Sequence, residues 1–387
     1  MGGPFHSQSG GLLVVCAEPS GDLLAGGVVR ALRLRRPNLP IFGMGGERCR
    51  DAGMETLLDV SLLSVMGFSE VLGAIPRALR ALSQLTRAAT ERQPTAALLV
   101  DAPDFNLRLA PRLAALGVPV VGYVSPTVWA WRSGRIRQIA RNFAALCCVL
   151  PFEEQFYARH GFENARYVGH PLLEGNPASR ESARAALGIA KSAPLLALLP
   201  GSRRQEVARL APILAATAAR LCADSPALQL VVPIAPGLSS GWVEAQFARG
   251  GLRPRTVRMP ASDVVAAADA AIVASGTATL ETALAGTPQV VVYRMSWISW
   301  LVARLLVRTR FVALPNLLAE KAIVPELLQS GCTPERIAAA VRPLLDRASV
   351  PREAQRVACA RLRTSLGSPG AADRVATQLL SAMREAA

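Results

Sequence analysis

The chain has 387 residues, of which 51% are hydrophobic and 5% aromatic, and 43 Lys and Arg against 28 Asp and Glu give a formal net charge of +15. This length accommodates two domains, each with its own core, and the charge indicates an anionic partner: a nucleic acid, a phosphorylated substrate or an acidic membrane surface. No stretch reaches about 18 uncharged apolar residues, which argues against a membrane-spanning helix.

The cysteines and histidines argue against a secreted protein and against a metal site. The seven cysteines show no CxxC spacing, and no basic flank precedes the first apolar stretch. We therefore expect a reduced cytoplasmic compartment without a secretory signal. The three histidines lack metal-ligand spacing, so no structural metal is expected. His170, within "GHP", is expected to shape the junction between domains.

Short apolar runs alternate with longer amphipathic stretches twice along the chain. In the first half the predicted strands are "LLVVCA", "IFGMG", "AALLVD", "VPVVGYV", "ALCCVL" and "ARYVG". In the second half they are "PLLALLP", "LQLVVPI", "TVRM", "AAIVA", "QVVVYR" and "FVAL". This alternation predicts an α/β protein with doubly wound parallel sheets and helices on both faces.

The two series separate near "GHPLLEGNPASRESARAALGI", where Pro171, Gly175 and Pro177 interrupt both periods and Ser179 is a predicted helix cap. We predict domains over 1–171 and 172–349. Such a chain resembles the GT-B glycosyltransferase architecture, in which two Rossmann-like domains flank a substrate cleft. The resemblance implies that the helical segment 350–387 packs back on the first domain.

The stretch "CAEPSGDLLAG" (16–26) lies between a predicted strand and a predicted helix. Backbone amides at such a turn can bind an anion, but the stretch lacks the GxGxxG pattern and the lysine of a Walker loop. Glu18 and Ser20 could instead hydrogen-bond sugar hydroxyls. An ordinary capped turn fits the sequence equally well.

The segment 61–82 is unusually apolar between polar neighbours. An ordinary core helix is one interpretation. The other is a lipid-facing surface, because exposed apolar side chains are costly in water. The candidate membrane contacts are Met66, Phe68, Val71, Leu72 and Ile75.

The segment 96–110, "AALLVDAPDFNLRLA", ends a buried strand in polar residues. Asp101 ends the strand and is the favoured general base, since a carboxylate at the end of a central strand is well placed for proton transfer. Asp104 is expected to cap or orient, and Asn106 to hold a hydroxyl or amide. A structural helix cap is the alternative for either aspartate.

Aromatic residues and arginines follow in "SPTVWAWRSGRIRQIARN" (125–142). Trp129 and Trp131 with these arginines could stack on nucleic-acid bases, or form a cleft wall beside a basic helix suited to a phosphorylated lipid. For the individual arginines a solvated helix face is the simpler interpretation.

Two turns in the second half are predicted phosphate sites. In "LLPGSRRQEV" a strand runs into Gly201, Ser202 and Arg203 before a helix, with Arg203 as the anion clamp. In "ASGTATLETALAGTP" another strand ends in small polar residues, and Glu281 could bind both ribose hydroxyls. A Ser/Thr cap with a favourable first-turn charge is the alternative there. The candidate ligands of a diphosphate in this second turn are Ser275, Gly276, Thr277 and Thr279.

Taken in order, these stretches resemble the lipid-A-disaccharide synthase family. The motifs that carry the resemblance are "AEPSGD", "MGFSEVLG", "DAPDFN", "SPTVWAWR", "GHP", "LPGSRRQEV", "SGTATLETAL", "YRMS" and "LPNLLAE". The resemblance implies an inverting, metal-independent glycosyltransferase of lipid A biosynthesis in a Gram-negative bacterium, with no cofactor. It implies that UDP-2,3-diacylglucosamine and 2,3-diacylglucosamine 1-phosphate give a β-1,6-linked disaccharide 1-phosphate and UDP.

The resemblance also implies residue roles. Asp101 would be the general base, and Glu18, Ser20, Asp104 and Asn106 would lie on the acceptor side. The UDP side would comprise both predicted phosphate turns, Glu281 and Asn316 of "LPNLL".

Because both substrates carry acyl chains, we expect a peripheral protein on the anionic cytoplasmic face of the inner membrane. The resemblance allows a homodimer and implies no nucleic-acid partner.

Two rival functions follow from the same sequence. The nearer is a soluble GT-B enzyme acting on UDP-N-acetylglucosamine, either a 2-epimerase or the peptidoglycan transferase. An epimerase would need no apolar docking face. The other is a basic nucleic-acid-binding protein, but the basic residues are spread over many helices without a recognised module.

Overall fold

The computed structural model describes residues 10–63, 71–130, 133–175, 178–297, 300–301, 304 and 309–385. The chain divides into two compact units, one comprising Met1–Glu174 with Ser368–Ala387 and the other Gly175–Gly367. Each is described separately below. Among the described helices, none is both long and apolar enough to cross a lipid bilayer.

The first unit is a seven-stranded parallel sheet with the order β3-β2-β1-β4-β5-β6-β7. Its strands are β1 (Leu12–Cys16), β2 (Ile41–Gly45), β3 (Glu55–Asp59), β4 (Ala96–Val100), β5 (Val120–Tyr123), β6 (Ala145–Cys148) and β7 (Ala165–Tyr167). Its helices are α1 (Pro19–Arg35), α2 (Glu47–Asp51), α3 (Val71–Arg92), α4 (Pro103–Ala115), α5 (Ile136–Asn142) and α6 (Pro151–Arg159).

The central strands of this sheet are continuous apolar runs because helices cover both of their faces. All five residues of β1 and of β4 are buried. Leu13 and Leu99 pack with Leu109 of α4 in the principal core of the unit. The strand order reverses between β1 and β4, so the turns that follow these two strands meet at a topological switch point.

The second unit is a six-stranded parallel sheet with the order β10-β9-β8-β11-β12-β13. Its strands are β8 (Leu195–Leu199), β9 (Gln229–Pro233), β10 (Arg255–Val257), β11 (Ala270–Ala274), β12 (Gln289–Tyr293) and β13 (Glu326–Leu328). Its helices are α7 (Arg180–Ala186), α8 (Arg204–Asp224), α9 (Ser240–Ala248), α10 (Ala261–Ala267), α11 (Thr277–Leu284), α12 (Leu314–Ala319), α13 (Pro334–Leu345) and α14 (Val350–Ser365).

Alternate residues of the central strands fill two cores, one on each face of this sheet. Leu196 and Ile272 pack into one core, and Leu195 and Val273 into the other. The strand order reverses between β8 and β11, which creates a second switch point.

The sequence analysis predicted one strand that is absent and missed two strands that are present. The segment 311–314, predicted as a strand, forms no strand, and the sixth strand of this sheet is β13 instead. The edge strand β3 was not expected. Both unexpected strands are short edge strands without a buried apolar run, and such strands leave little periodicity in the sequence.

The C-terminal helices divide between the two units. Within the segment 350–387, α15 (Ala371–Glu385) packs on α1 and on β4, β5 and β6 of the first unit. Helix α14 stays in the second unit, where the Gln355 side chain hydrogen-bonds the main-chain amide and carbonyl of Gln289. The side-chain amide therefore continues the hydrogen bonding at the start of β12.

Candidate active site

The first switch point brings two predicted site residues together. Ser20 begins α1 just after β1, and Asp101 follows β4, the neighbouring strand. The Ser20 hydroxyl donates a hydrogen bond to Oδ2 of Asp101 at 3.4 Å, across 81 residues of sequence. Asp101 is half-buried, whereas Glu18 and Ser20 are exposed at the same edge of the sheet.

The main chain at Asp101 is held in a conformation that non-glycine residues rarely adopt. Asp101 has φ +51° and Ala102 φ +44°, and Val124, which follows β5, has φ +69°. The Asp101 amide donates to the Tyr123 carbonyl at 2.9 Å. Left-handed residues cost free energy and often occur at functional sites. Three of them beside one carboxylate mark this edge of the sheet as a site.

Asn106 stabilises this turn by a side-chain hydrogen bond. Its side-chain amide donates to the main-chain carbonyl of Asp101, and only 4% of the residue is exposed. Its Oδ1 is buried and accepts no hydrogen bond from any described residue. In this geometry Asn106 acts on the conformation of Asp101, whereas the sequence interpretation has it contacting the acceptor.

Asp104 is the second residue of α4 and is exposed, and it forms an ion pair with Arg135 at 2.5 Å. This pair ties α4 to the segment after Trp129. Of the other aromatic and basic residues in that stretch, Trp131 and Arg132 lie outside the described residues.

A groove of about 330 Å³ opens beside the Asp101 turn. Its walls come from α3 and α4 and are mainly apolar, and Glu18, Asp104 and Arg108 are its charged lining residues. The apolar lining residues include Leu63, Ile75, Leu79, Leu82 and Phe105.

The groove reaches an exposed apolar face of α3. Ile75 is 50% exposed and Leu79, one turn later, is 48% exposed. Of the other predicted membrane contacts, Met66 and Phe68 lie outside the described residues, as do the side chains of Val71 and Leu72.

The second switch point joins the two predicted phosphate turns. Leu199 and Val273 are register partners in β8 and β11, so the turns that follow these strands lie at the same edge of the sheet. Gly201 has φ +111° and Gly276 φ +148°, values that favour glycine. Ser202 and Thr277 are exposed and Ser275 is half-buried, its hydroxyl donating to the Val312 carbonyl at 3.1 Å.

A carboxylate that the sequence interpretation missed occupies the first of these turns. Oε2 of Glu206 accepts from the amides of Ser202 and Arg203 at 3.2 and 3.3 Å, and Oε1 lies 3.3 Å from the Arg203 guanidinium. The Arg203 side chain is otherwise free in solvent, 81% exposed. A glutamate three residues after the residue preceding a helix is the capping-box signal, which could have identified it.

Glu281 lies one turn into α11 and is half-buried. Burial raises the pKa of its carboxyl group, and this carboxyl group forms no hydrogen bond with any residue that the structure describes. A carboxylate in this state can accept from two hydroxyls of a ligand.

Thr279 and Asn316, both predicted to contact UDP, are buried. Thr279 donates to the Gly276 carbonyl at 2.7 Å and so holds the turn. Asn316 is 0% exposed, and its amide nitrogen donates to the Val324 carbonyl and to Glu326, both at 2.8 Å. Its Oδ1 accepts from Ile323 and Val324. With all of these groups engaged, Asn316 supports the loop after α12.

One group in the described part of the chain brings three metal-ligating side chains together. Cys16, Asp22 and Cys49 have ligand atoms within 4.8 Å of one another. The Asp22 carboxylate already accepts from the amides of Gly46, Arg48 and Cys49. A hydrogen bond to Cys16 and burial raise the pKa of Cys49, which disfavours the thiolate that a metal requires. The group is a capping arrangement for α2.

Two parallel-sheet α/β units, each with candidate site residues at its switch point, define a protein of the GT-B class. The fold matches that of CalG4, the calicheamicin glycosyltransferase, with TM-score 0.60 and 18% identity over 98% of this chain and 99% of that one. It also matches that of a UDP-GlcNAc 2-epimerase from Neisseria meningitidis bound to UDP-GlcNAc, with TM-score 0.63 and 9% identity over 97% and 99%.

The particular family is shown by sequence. The model of the lipid-A-disaccharide synthetase family matches residues 12–377, and the chain belongs to this family. A lipid-A-disaccharide synthase from Anaeromyxobacter dehalogenans (strain 2CP-C) is 52% identical over 376 residues, covering 96% of this chain and 97% of the relative. The chain is thus a glycosyltransferase of lipid A biosynthesis that uses a sugar-nucleotide donor and a glycosyl acceptor, and the epimerase and nucleic-acid hypotheses are set aside.

Proposed function

We propose that the chain transfers the diacylglucosamine unit of UDP-2,3-diacylglucosamine to the 6-hydroxyl of 2,3-diacylglucosamine 1-phosphate, with inversion at the anomeric carbon. The bond from acceptor O6 to donor C1 forms, and the bond from C1 to the diphosphate oxygen breaks. UDP leaves with that electron pair. The product is the β-1,6-linked disaccharide 1-phosphate.

Asp101 takes the proton of the acceptor 6-hydroxyl. The observation that carries this assignment is the meeting of Asp101 and Ser20 at the first switch point. A half-buried carboxylate at such an edge, held by a strained turn, suits a general base. Ser20 orients the carboxylate, and Glu18 and Asp104 lie near enough to the same groove to bind acceptor hydroxyls.

The donor is bound by the second unit. The exposed Arg203 guanidinium and the amides at the start of α11 stabilise the negative charge that develops on the leaving diphosphate. The Glu281 carboxylate, which forms no hydrogen bond with a described residue, accepts from the ribose hydroxyls. Side chains and a helix N-terminus supply this stabilisation in the proposal, so no metal ion has a role in it.

The apolar groove beside Asp101 binds an acyl chain, and the exposed face of α3 contacts the membrane. Ile75 and Leu79 lie among the exposed Arg77 and Arg80 on the same helix. Apolar side chains interleaved with arginines suit a surface of anionic lipid. The chain therefore docks peripherally on the cytoplasmic face of the inner membrane.

The reaction is tested by incubating the purified protein with both lipid substrates in detergent and following disaccharide and UDP by mass spectrometry. Wild type should form both products. Asp101→Asn should lose at least about 100-fold in kcat, the scale of lost general-base catalysis. Asp51→Asn, an exposed aspartate at the end of α2, is the matched control. Equal rates in the Asp101 and Asp51 variants would exclude Asp101 as the base, and absence of product from folded wild type would exclude the reaction.

Membrane docking is tested by sedimentation with vesicles containing phosphatidylglycerol. Replacing Ile75 and Leu79 with Ser should reduce the bound fraction, and adding the same change at Met66, Phe68, Val71 and Leu72 should reduce it further. Leu34→Ser, at a residue of α1 that is 86% exposed, is the control. Unchanged sedimentation of all variants would exclude this face.

A further inference from the structure

A buried carboxylate lies beneath the segment that follows β5. Glu153 of α6 is 1% exposed. Its Oε1 accepts from the indole nitrogen of Trp129 at 3.1 Å, and its Oε2 accepts from the Leu150 amide at 3.0 Å. Buried carboxylates are costly unless they are hydrogen-bonded, so these contacts hold Glu153 and the segment together.

Tyr157, one turn further along α6, holds the same segment. Its hydroxyl lies 3.0 Å from that of Ser125 and 3.4 Å from the Pro126 carbonyl. Residues four apart share one face of a helix, so Glu153 and Tyr157 together present a polar face to this segment. The Trp129 ring also packs edge-to-face on Phe152, with centroids 5.2 Å apart.

The held segment lies against the Asp101 turn. Val124 and Pro126 line a small cavity of about 10 Å³ together with Asp101 and Asn106. Val124 is the left-handed residue beside Asp101, and a β-branched side chain in that conformation is strained. The strain must be offset by contacts elsewhere. Helix α6 supplies such contacts, to Ser125, Pro126 and Trp129.

We propose that Glu153 is a positioning residue for the transfer reaction, holding the segment 124–130 so that Val124 and Pro126 keep Asp101 in its reactive orientation. This inference rests on the proposed role of Asp101. Glu153 itself need not touch either substrate. It acts through Trp129, whereas Tyr157 holds Ser125 and Pro126.

The surroundings of Glu153 make its charge sensitive to pH. The titratable groups near it are Glu154 and Tyr157 of α6, Cys148 of β6 and Tyr167 of β7. No basic side chain in the described part of the chain forms an ion pair with it. Burial raises the pKa of Glu153 to about 7, and it also raises the pKa of Tyr157 and Cys148, which keeps these two neutral.

The test compares wild type, Glu153→Gln and Trp129→Phe in kcat and KM as functions of pH. Amide hydrogen exchange of residues 124–130 is measured in the same samples. Glu154→Gln, on the same helix but partly exposed, is the matched control. We expect Glu153→Gln to lose about tenfold or more in kcat, as for a slightly misplaced catalytic group. The donor KM should stay unchanged, the inflection near neutral pH should disappear, and exchange in the segment should rise. Trp129→Phe should raise the exchange and lower kcat without removing the inflection.

Several outcomes would overturn the inference. Faster exchange in Glu153→Gln with an unchanged kcat and pH profile would make the residue merely structural. Unchanged exchange would show that it does not hold the segment. If Glu153→Gln does not fold, an unchanged kcat in Trp129→Phe overturns the inference. If wild type forms no disaccharide, the proposed function fails, and the exchange measurement still decides separately whether Glu153 anchors the segment.

Discussion

The carboxylate of Glu206 accepts a hydrogen bond from the main-chain amide of Ser202 at 3.2 Å. This amide belongs to the turn that we propose binds the donor diphosphate. A carboxylate there satisfies the helix terminus in the free chain, and it competes with a phosphate for the same donors. The turn is therefore already occupied by an anionic group before the donor arrives.

Glu206→Gln should strengthen UDP binding. Removing one negative charge close to a diphosphate should lower the Kd at least about threefold, because like charges repel across a short distance. Calorimetric titration with UDP measures this Kd. Glu353→Gln, an exposed carboxylate of α14, should leave the Kd unchanged. Weaker UDP binding in Glu206→Gln would mean that the carboxylate orients the turn for the ligand.

Gly201→Ala should impair both stability and donor binding. At φ +111°, a Cβ at this position would stand 2.6 Å from Oε2 of Glu206, so the variant meets backbone strain and a clash together. We expect a loss of about 2–3 kcal/mol in the free energy of unfolding. Gly286→Ala separates the two effects, because Gly286 has φ +71° with no atom near its Cβ position. If Gly201→Ala and Gly286→Ala lose equal free energy of unfolding in urea, the Glu206 side chain moves and relieves the clash.

Asn316→Ala and Glu281→Gln should fail in different ways. The first leaves the buried amide of Val324 and the half-buried amide of Ile323 without an acceptor, so we expect a loss of about 2–4 kcal/mol in unfolding free energy. The second breaks no hydrogen bond to a described residue, so stability should hold while the donor KM rises. Urea unfolding and steady-state kinetics on both variants check this. If the Asn316→Ala variant is stable and has a raised donor KM, Asn316 contacts UDP as the sequence predicts.

Glu153 should make stability fall as the pH rises. Its pKa is about 7 in the folded chain against an ordinary value of 4.5, so between these values the unfolded state binds fewer protons. The contribution of Glu153 to the free energy of unfolding is fully present below about pH 4.5. It is lost as the pH rises through 7, and the loss is about 3 kcal/mol for a pKa shift of this size. Glu153→Gln lacks this dependence and should gain on wild type between pH 5 and pH 8 in urea unfolding. Parallel stability profiles would contradict the shift.

Much of the fold could be predicted because its signals are local. The runs at β1, β4, β8 and β11 are apolar throughout, as strands buried on both faces must be. The sequence therefore predicts that the polar residues following these strands lie at the carboxyl edge of a sheet. The short edge strands β3 and β13 lack that signal. The division of the two last helices was also not predictable, since both are amphipathic and amphipathicity does not specify the partner.

The sequence by itself determined the central strands of both sheets and the turns that follow them, and it proposed Asp101, Arg203 and Glu281 as candidate site residues. Only the tertiary structure decided which side chains face outward. It joined Ser20 to Asp101, buried the side chains of Asn316 and Thr279 and placed the Glu206 carboxylate on the predicted phosphate turn. The physical reason is that residue type sets which hydrogen bonds a group can form. Which partners it meets depends on packing between segments distant in the chain.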